Sequence, residues 1–293
     1  MTARAGPTLD GRTKPFAVLG HPIGHTLSPA MHNAALAALG WNAVYLAFDV
    51  HPDRLMDVLP AMGAMGFGGV NLTVPLKEVA FRGLARHDES ARLVGSVNTV
   101  EFAPEGPVGH STDGHGFLKS HEEAFGASVE GASVFVLGTG GAGRAVALVC
   151  ARAGAAAVTL SDVDAERLER VRAEAAAVRP GVAARAVAGG AEAARAAREA
   201  DLVVQATPVG MKPGDPSLLP PEAFRPGQRA FDLIYTFPET AFMRAARAGG
   251  ARAINGLDML LHQGVRSFEI WTGVTPPDGA MREALRRAVY GAA

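Results

Sequence analysis

The sequence predicts a two-domain α/β protein, and three observations carry that expectation. Short apolar runs alternate with helix-forming segments along the chain, the pattern of a mainly parallel sheet. The alternation restarts near Asp113. In the second block a glycine-rich turn, Gly138-Thr139-Gly140-Gly141-Ala142-Gly143, stands between an apolar run and a helical segment. A length of 293 residues agrees with two domains at roughly 100–200 residues each.

In the first block, Phe16–Leu19 is a short apolar run ending at Gly20 and reads as a buried strand. His21-Pro22-Ile23-Gly24 is a turn. Ser28 then caps a helix with Pro29 at its first position, and Gly40 ends it. Ala43–Val50 is the second strand, and Pro52–Met65 is a helix closed by Gly66. Gly69–Val74 is the third strand, which passes through Pro75 into a helix reaching about Ala85.

The second block opens with a helix over Gly114–Phe125. Strands follow at Ser133–Leu137, Ala157–Leu160, Leu202–Ala206, Arg229–Leu233 and Ala251–Ile254. A helix runs from the glycine turn to about Ala153, and Ala165–Val178 and Ala191–Ala200 are rich in good helix formers. From Gly256 to Tyr290 the chain is helical, broken at Thr275-Pro276-Pro277. These elements divide the chain into residues 1–113 with 256–293, the substrate-binding and catalytic domain, and 114–255, a dinucleotide-binding domain of Rossmann type.

Composition excludes several classes of function. Hydrophobic residues make up 48% and charged residues 19%, a globular balance. A net charge of −1 gives no footprint for nucleic acid or an anionic membrane. No apolar run reaches the ~18 residues of a membrane span, and residues 1–15 lack the apolar stretch of a secretory leader. A single cysteine, Cys150, rules out an internal disulfide framework and a cysteine-rich zinc site, and no metal is expected. A reducing cytoplasm fits these features. Only four of the 28 basic residues are lysines: Lys14, Lys77, Lys119 and Lys212. A lysine therefore stands out against the chain's preference for arginine.

The glycines of Gly138-x-Gly140-x-x-Gly143 let a backbone approach a pyrophosphate at a helix N-terminus. The next strand ends at Ser161-Asp162-Val163-Asp164. A carboxylate there accepts from ribose hydroxyls and repels a 2′-phosphate. Asp164 is placed to cap the following helix, which leaves Asp162 for the ribose. No arginine stands in the tip itself, and Arg167 follows one turn later. The electrostatics favour NAD over NADP.

Polar residues that strand patterning explains least mark the chemistry. Asn71 and Thr73 are two apart and so share one face of a strand. Lys77 follows at the strand's carboxyl end, where open α/β sheets bind ligands. A lysine beside another charge can serve proton transfer, although a lone lysine is more often a solvated surface group. Asp113 lies at the junction of the two blocks, where it could equally be a helix cap. Asn98 interrupts a strand-like stretch, and Thr26 and Ser28 precede a helix N-terminus suited to a carboxylate.

Six motifs in order make the chain resemble the shikimate dehydrogenase family, including its quinate/shikimate branch. They are His21 through Pro29, Asn71 through Lys77, Gly95-Ser96-Val97-Asn98-Thr99, Ser111-Thr112-Asp113-Gly114, the Gly138–Gly143 turn, and Gly256-Leu257-Asp258-Met259-Leu260 with Gln263. The resemblance implies reversible oxidation of a ring hydroxyl on a cyclic carboxylate. It implies Lys77 and Asp113 as the proton-transfer pair and Thr26 and Ser28 as holders of the carboxylate. Asn71, Thr73, Asn98 and Gln263 would bind the other hydroxyls, with Tyr235 near the carboxylate. Gly138, Thr139, Gly140, Gly141, Ala142, Gly143, Asp162, Asp164 and Arg167 would hold the dinucleotide, with Leu233, Gly256 and Met259 on the nicotinamide side.

Three features depart from the family pattern. NADP-dependent members typically carry Asn-Arg-Thr-x-x-Arg where this chain has Asp162-Val163-Asp164-Ala165-Glu166-Arg167. The resemblance thus points to an NAD-preferring quinate/shikimate dehydrogenase. The alternative is an NADP-dependent biosynthetic shikimate dehydrogenase that reaches the phosphate through Arg167 or Arg144. Thr26 replaces the usual serine, and Ser111 a usual asparagine. An aminoshikimate-type enzyme and a non-catalytic sensor rank lower, the latter because both Lys77 and Asp113 are present. The expected partner is a small-molecule substrate, with no nucleic acid or membrane, in a monomer or homodimer.

Overall fold

The computed structural model describes residues 9–291. Residues 1–8 of the polar N-terminal segment, and 292–293, lie outside the described residues. The chain divides into two units, Met1–Gly116 with Leu261–Ala293, and Phe117–Leu260. The expected boundaries at 113 and 256 fall at the starts of two helices, and the observed ones lie about one turn further along each. Among the described residues no helix is long and apolar enough to cross a membrane.

The first unit begins with β1 (Lys14–Gly20), α1 (Ser28–Ala38), β2 (Ala43–Asp49), α2 (Leu55–Ala64), β3 (Val70–Leu72) and α3 (Leu76–Gly83). It continues through β4 (Arg86–His87), α4 (Glu89–Val94), β5 (Thr99–Ala103), β6 (Gly106–His110) and the start of α5 (Asp113–Phe125). The strand order is β2-β1-β3-β5-β6-β4. β1 pairs in parallel with β2 and β3, and β4 with β6. The β3–β5 and β5–β6 ladders are antiparallel, so the expected mainly parallel sheet carries a hairpin within it. Ala17, Leu19, Leu55, Leu59, Val70, Leu72 and Val100 form its core.

Several local expectations change. Ser28 is the first helical residue of α1 and not its cap; Leu27 takes the cap position, with no side-chain hydrogen bond. The expected Pro52–Met65 helix splits into a 3₁₀ turn, Pro52–Arg54, and α2. β3 is only three residues long, so Thr73 lies beyond it and Lys77 falls in the first turn of α3. Asn98 sits immediately before β5 and not within a strand.

The second unit contains β7 (Ser133–Leu137), α6 (Gly141–Arg152), β8 (Ala157–Ser161), α7 (Ala165–Val178), β9 (Ala183–Ala186) and α8 (Ala191–Glu199). β10 (Leu202–Gln205), β11 (Arg229–Asp232), α9 (Ala241–Ala248), β12 (Arg252–Ile254) and the start of α10 (Leu257–Thr272) complete it. The sheet order is β12-β11-β10-β7-β8-β9, and every ladder is parallel. This is the doubly wound order in which the chain reverses direction between β7 and β10, the crevice where dinucleotides bind. Phe135, Val203, Phe224, Ala230 and Phe242 lie in its core. α11 (Asp278–Tyr290) returns to the first unit and packs on α1.

Candidate active site

Lys77 and Asp113, distant in sequence, meet in the first unit. Lys77 Nζ donates to Asp113 Oδ2 at 2.6 Å, a short charge-assisted hydrogen bond. The side chains are 27% and 20% exposed, so both are largely covered yet reachable. Asn98 Nδ2 donates to the other carboxylate oxygen, Oδ1, at 2.9 Å. The carboxylate is thus held from two sides.

The backbone fixes these three residues to one another. Asn98 N–H donates to the His110 carbonyl at the end of β6, and Val97 N–H to the Lys77 carbonyl. Thr112 N–H donates to Asn98 Oδ1 at 2.8 Å, which seats the residue preceding Asp113. Behind them lies a buried polar lattice of Asn71, Asn98, Thr99, Thr112, Gln263 and Ser267. Asn98 Nδ2 also reaches Thr112 Oγ1 at 2.9 Å and Gln263 Oε1 at 3.3 Å. Asn71 Nδ2 donates to the Asn98 carbonyl and to Ser267 Oγ. Ser267 donates to the Gln263 carbonyl one helical turn back. Satisfied buried networks of this kind fix side-chain positions.

Thr26 and Ser28 also come together, with Thr26 Oγ1 donating to Ser28 Oγ at 3.4 Å. They stand where the N–H groups of α1 begin, an environment that favours a carboxylate. Thr73 packs against Gly20, where an added Cβ would come within 2.6 Å of the threonine methyl.

The second unit holds the dinucleotide candidates. Gly138 has φ +95°, and an added Cβ would come within 3.0 Å of the Ala206 carbonyl. At Gly143 an added Cβ would stand 1.9 Å from the Gly138 carbonyl oxygen, so only glycine allows α6 to start so close to β7. Gly140 and Gly141 have nothing within 4 Å of that position. The start of α6 carries no side-chain cap, which leaves its N–H groups for an anion. The glycine loop therefore fits a pyrophosphate.

Asp162 is more engaged than the sequence suggests. Its carboxylate accepts from Thr139 N and Oγ1, from Asp164 N and from Arg167 Nη2, at 2.6–2.9 Å. These four donors fill the acceptor sites of a carboxylate. Burial opposes its ionisation, but the donors outweigh that and hold its pKa far below the usual value. Asp162 thus ties the glycine loop to the end of β8. Asp164 caps α7 by accepting from Arg167 N at 3.0 Å, and Arg167 Nη1 lies 3.2 Å from its carboxylate. Val163 between them is fully exposed. Arg144 is paired with Glu174 at 2.6 Å.

At the end of β11, Gly256 lies against Leu233, where a Cβ would stand 2.2 Å from its carbonyl oxygen. Met259 occupies the first turn of α10, half-buried. Tyr235 also belongs to this unit, and burial raises its pKa. Lattice members Thr99 and Ser267 escape sequence reasoning because each fits its element's ordinary pattern. Ser267's place four residues after Gln263, on the same helical face, is the one available clue.

Comparison with known proteins identifies the family. Residues 18–100 match the shikimate dehydrogenase substrate binding domain, and residues 256–286 the shikimate 5′-dehydrogenase C-terminal domain. The chain is 45% identical over 276 residues to the shikimate dehydrogenase (NADP(+)) of Moorella thermoacetica, covering 93% of this chain and 92% of the relative. It is similar to the shikimate 5-dehydrogenase of Thermus thermophilus crystallised with NADP(H) and shikimate. There the TM-score is 0.83 at 40% identity, with 94% of this chain and 100% of the other covered. The quinate dehydrogenase of Corynebacterium glutamicum, in complex with NAD, superposes with a TM-score of 0.82 at 30% identity, covering 93% of this chain and 98% of the other.

Proposed function

Because the chain belongs to the shikimate dehydrogenase family, we propose that it catalyses the reversible oxidation of shikimate at one ring hydroxyl. The observation that carries this reading is the 2.6 Å contact of Lys77 and Asp113, backed by Asn98. A nicotinamide dinucleotide held by the Gly138–Gly143 loop supplies hydride transfer when bound. The chain's own residues bind, orient and move a proton. In oxidation, neutral Lys77 Nζ takes the hydroxyl proton. In reduction, its ammonium returns a proton to the developing alkoxide, a contribution of roughly 10²–10⁴-fold. Asp113 aims Lys77, and Asn98 aims Asp113. Thr26 and Ser28 hold the substrate carboxylate, with Tyr235 as a further contact. Asn71, Thr73 and Gln263 hold ring hydroxyls.

NADP is the cofactor that the relatives support, through the name of the Moorella enzyme and the NADP(H) bound to the Thermus one. With NADP and shikimate the enzyme serves aromatic biosynthesis, and Arg167 is the cation at the β8–α7 tip to meet a 2′-phosphate. A second reading, NAD, is favoured by one observation. Arg167 is already held by Asp162 and Asp164, and exposed Val163 adds no charge. A guanidinium neutralised by two carboxylates attracts a phosphate weakly. Quinate belongs to this second reading as a further substrate.

Initial rates of oxidation, measured with shikimate and quinate, each with NAD and NADP, separate these readings. Turnover of shikimate mainly with NADP is expected from the first. Turnover of both acids mainly with NAD establishes the second. Shikimate binding with no turnover by either cofactor overturns catalysis.

A further inference from the structure

The Asn71 amide has only one chemically sensible orientation. Its Nδ2 lies 3.0 Å from the Asn98 backbone carbonyl, which can only accept. Thr99 Oγ1 at 3.0 Å and Ser267 Oγ at 2.9 Å lie on the same nitrogen. Both amide hydrogens are therefore spent inside the protein. On the oxygen side, Tyr45 Oη stands 2.7 Å from Asn71 Oδ1 and must be the donor. That takes one lone pair of Oδ1. The other is the amide's remaining capacity, and it can only accept.

Tyr45 is held firmly for this task. It is 1% exposed, in the parallel ladder of β2 with β1. Its ring stacks on His32 with centroids 4.3 Å apart and planes 7° apart. Asn33 clamps its backbone on both sides, accepting from Tyr45 N and donating to Tyr45 O, each at 2.8 Å.

We propose that Tyr45 is a positioning residue that, through Asn71, makes the site accept a hydrogen from a substrate hydroxyl and refuse a carbonyl at that point. This rests on the reading of the site as a shikimate dehydrogenase. A carbonyl placed against Asn71 Oδ1 would set acceptor against acceptor in a buried place, a costly arrangement. Lys77 is different, since its ammonium donates to a carbonyl and its neutral amine accepts from a hydroxyl. The oxygen that changes between hydroxyl and carbonyl is thereby directed to Lys77. The oxygen that stays a hydroxyl is directed to Asn71. Tyr45 and Asn71 therefore help decide which ring position is oxidised.

Two measurements test this. Isothermal titration of the wild-type enzyme uses shikimate analogues with fluorine replacing each ring hydroxyl in turn, because fluorine can accept but not donate. At one non-reacting position the affinity should fall about tenfold, the worth of one buried hydrogen bond. Steady-state kinetics of Tyr45→Phe, which keeps the ring and its stacking, should show KM for shikimate raised about five- to tenfold. The change in kcat should be smaller than that in KM, and KM for the dinucleotide should be unchanged. Equal binding of all the non-reacting fluoro analogues by an active wild type overturns the proposal alone. So does an unchanged shikimate KM in an active Tyr45→Phe enzyme. A wild type that neither binds nor oxidises shikimate overturns the functional reading, and this proposal with it.

Discussion

At the scale of single side chains, a cation and a carboxylate are kept in contact where water still reaches them. Removing the cation tests its role directly. Lys77→Ala should lower kcat by roughly 10²–10⁴-fold with a smaller change in KM. A variant with near wild-type kcat would remove Lys77 from proton transfer. A second residue, Asp232, is buried with no cation paired to it among the described residues. Burial pushes its carboxyl up to about 6, against the Thr240 and Ile234 donors that favour ionisation. Between the ordinary value of about 4 and this raised one, the folded state binds the proton more tightly. Stability therefore falls as pH rises from about 4 to about 6 and stays reduced above. Asp232→Asn should flatten that part of the melting-temperature profile, and an unchanged slope would locate the pH dependence elsewhere. Much of the site was legible residue by residue, because Lys77, Asp113 and Asn98 are polar groups that local patterning does not need. Asp162 was legible only as a charge. That Thr139, Asp164 and Arg167 consume its acceptors depends on loop geometry absent from spacing. Tyr45 was invisible, since tyrosine in a strand is what β propensity favours.

At the scale of elements, the β5–β6 hairpin and α4 position the Asp113 carboxylate, and His110 braces them. Its Nδ1 lies 3.2 Å from Asp88, the N-cap of α4, and its Nε2 lies 3.1 Å from Glu101 on β5. Burial opposes the charged imidazole, but the two carboxylates outweigh it and raise its pKa above the usual value. Its stabilisation is thus complete below about 6.5 and is lost as pH rises through the raised value. His110→Gln should lower the melting temperature more at pH 6 than at pH 9. An equal loss at both would mean that the brace is steric. This region was the least readable part of the fold. Thr99–Ala103 and Gly106–His110 are short, and the second contains Pro107 and two glycines, so neither shows alternation over enough residues. β9 was hidden because Ala-Ala-Arg-Ala favours helix. α9 was hidden because it follows a stretch of turn formers around Pro238. The other parallel strands of the second unit were read well because buried strands are continuous apolar runs.

At the scale of the whole molecule, one unit is continuous in sequence and the other is built from both ends. Deleting residues 273–293 removes α11, with its buried Met281 and Leu285, from beside α1. That truncation should abolish shikimate binding while dinucleotide binding, followed by nicotinamide fluorescence, persists. Loss of both to the same degree would show that the units do not fold separately. The same split arrangement has a consequence during synthesis. When residue 260 has left the ribosome, the second unit is complete in sequence. Asn71, Asn98 and Thr112 emerged long before, yet Gln263 and Ser267, which close their lattice, have not. The nascent chain must carry those polar groups hydrated until its last helices arrive. The substrate half is thereby finished last, and translation itself sets the moment at which the enzyme first becomes competent.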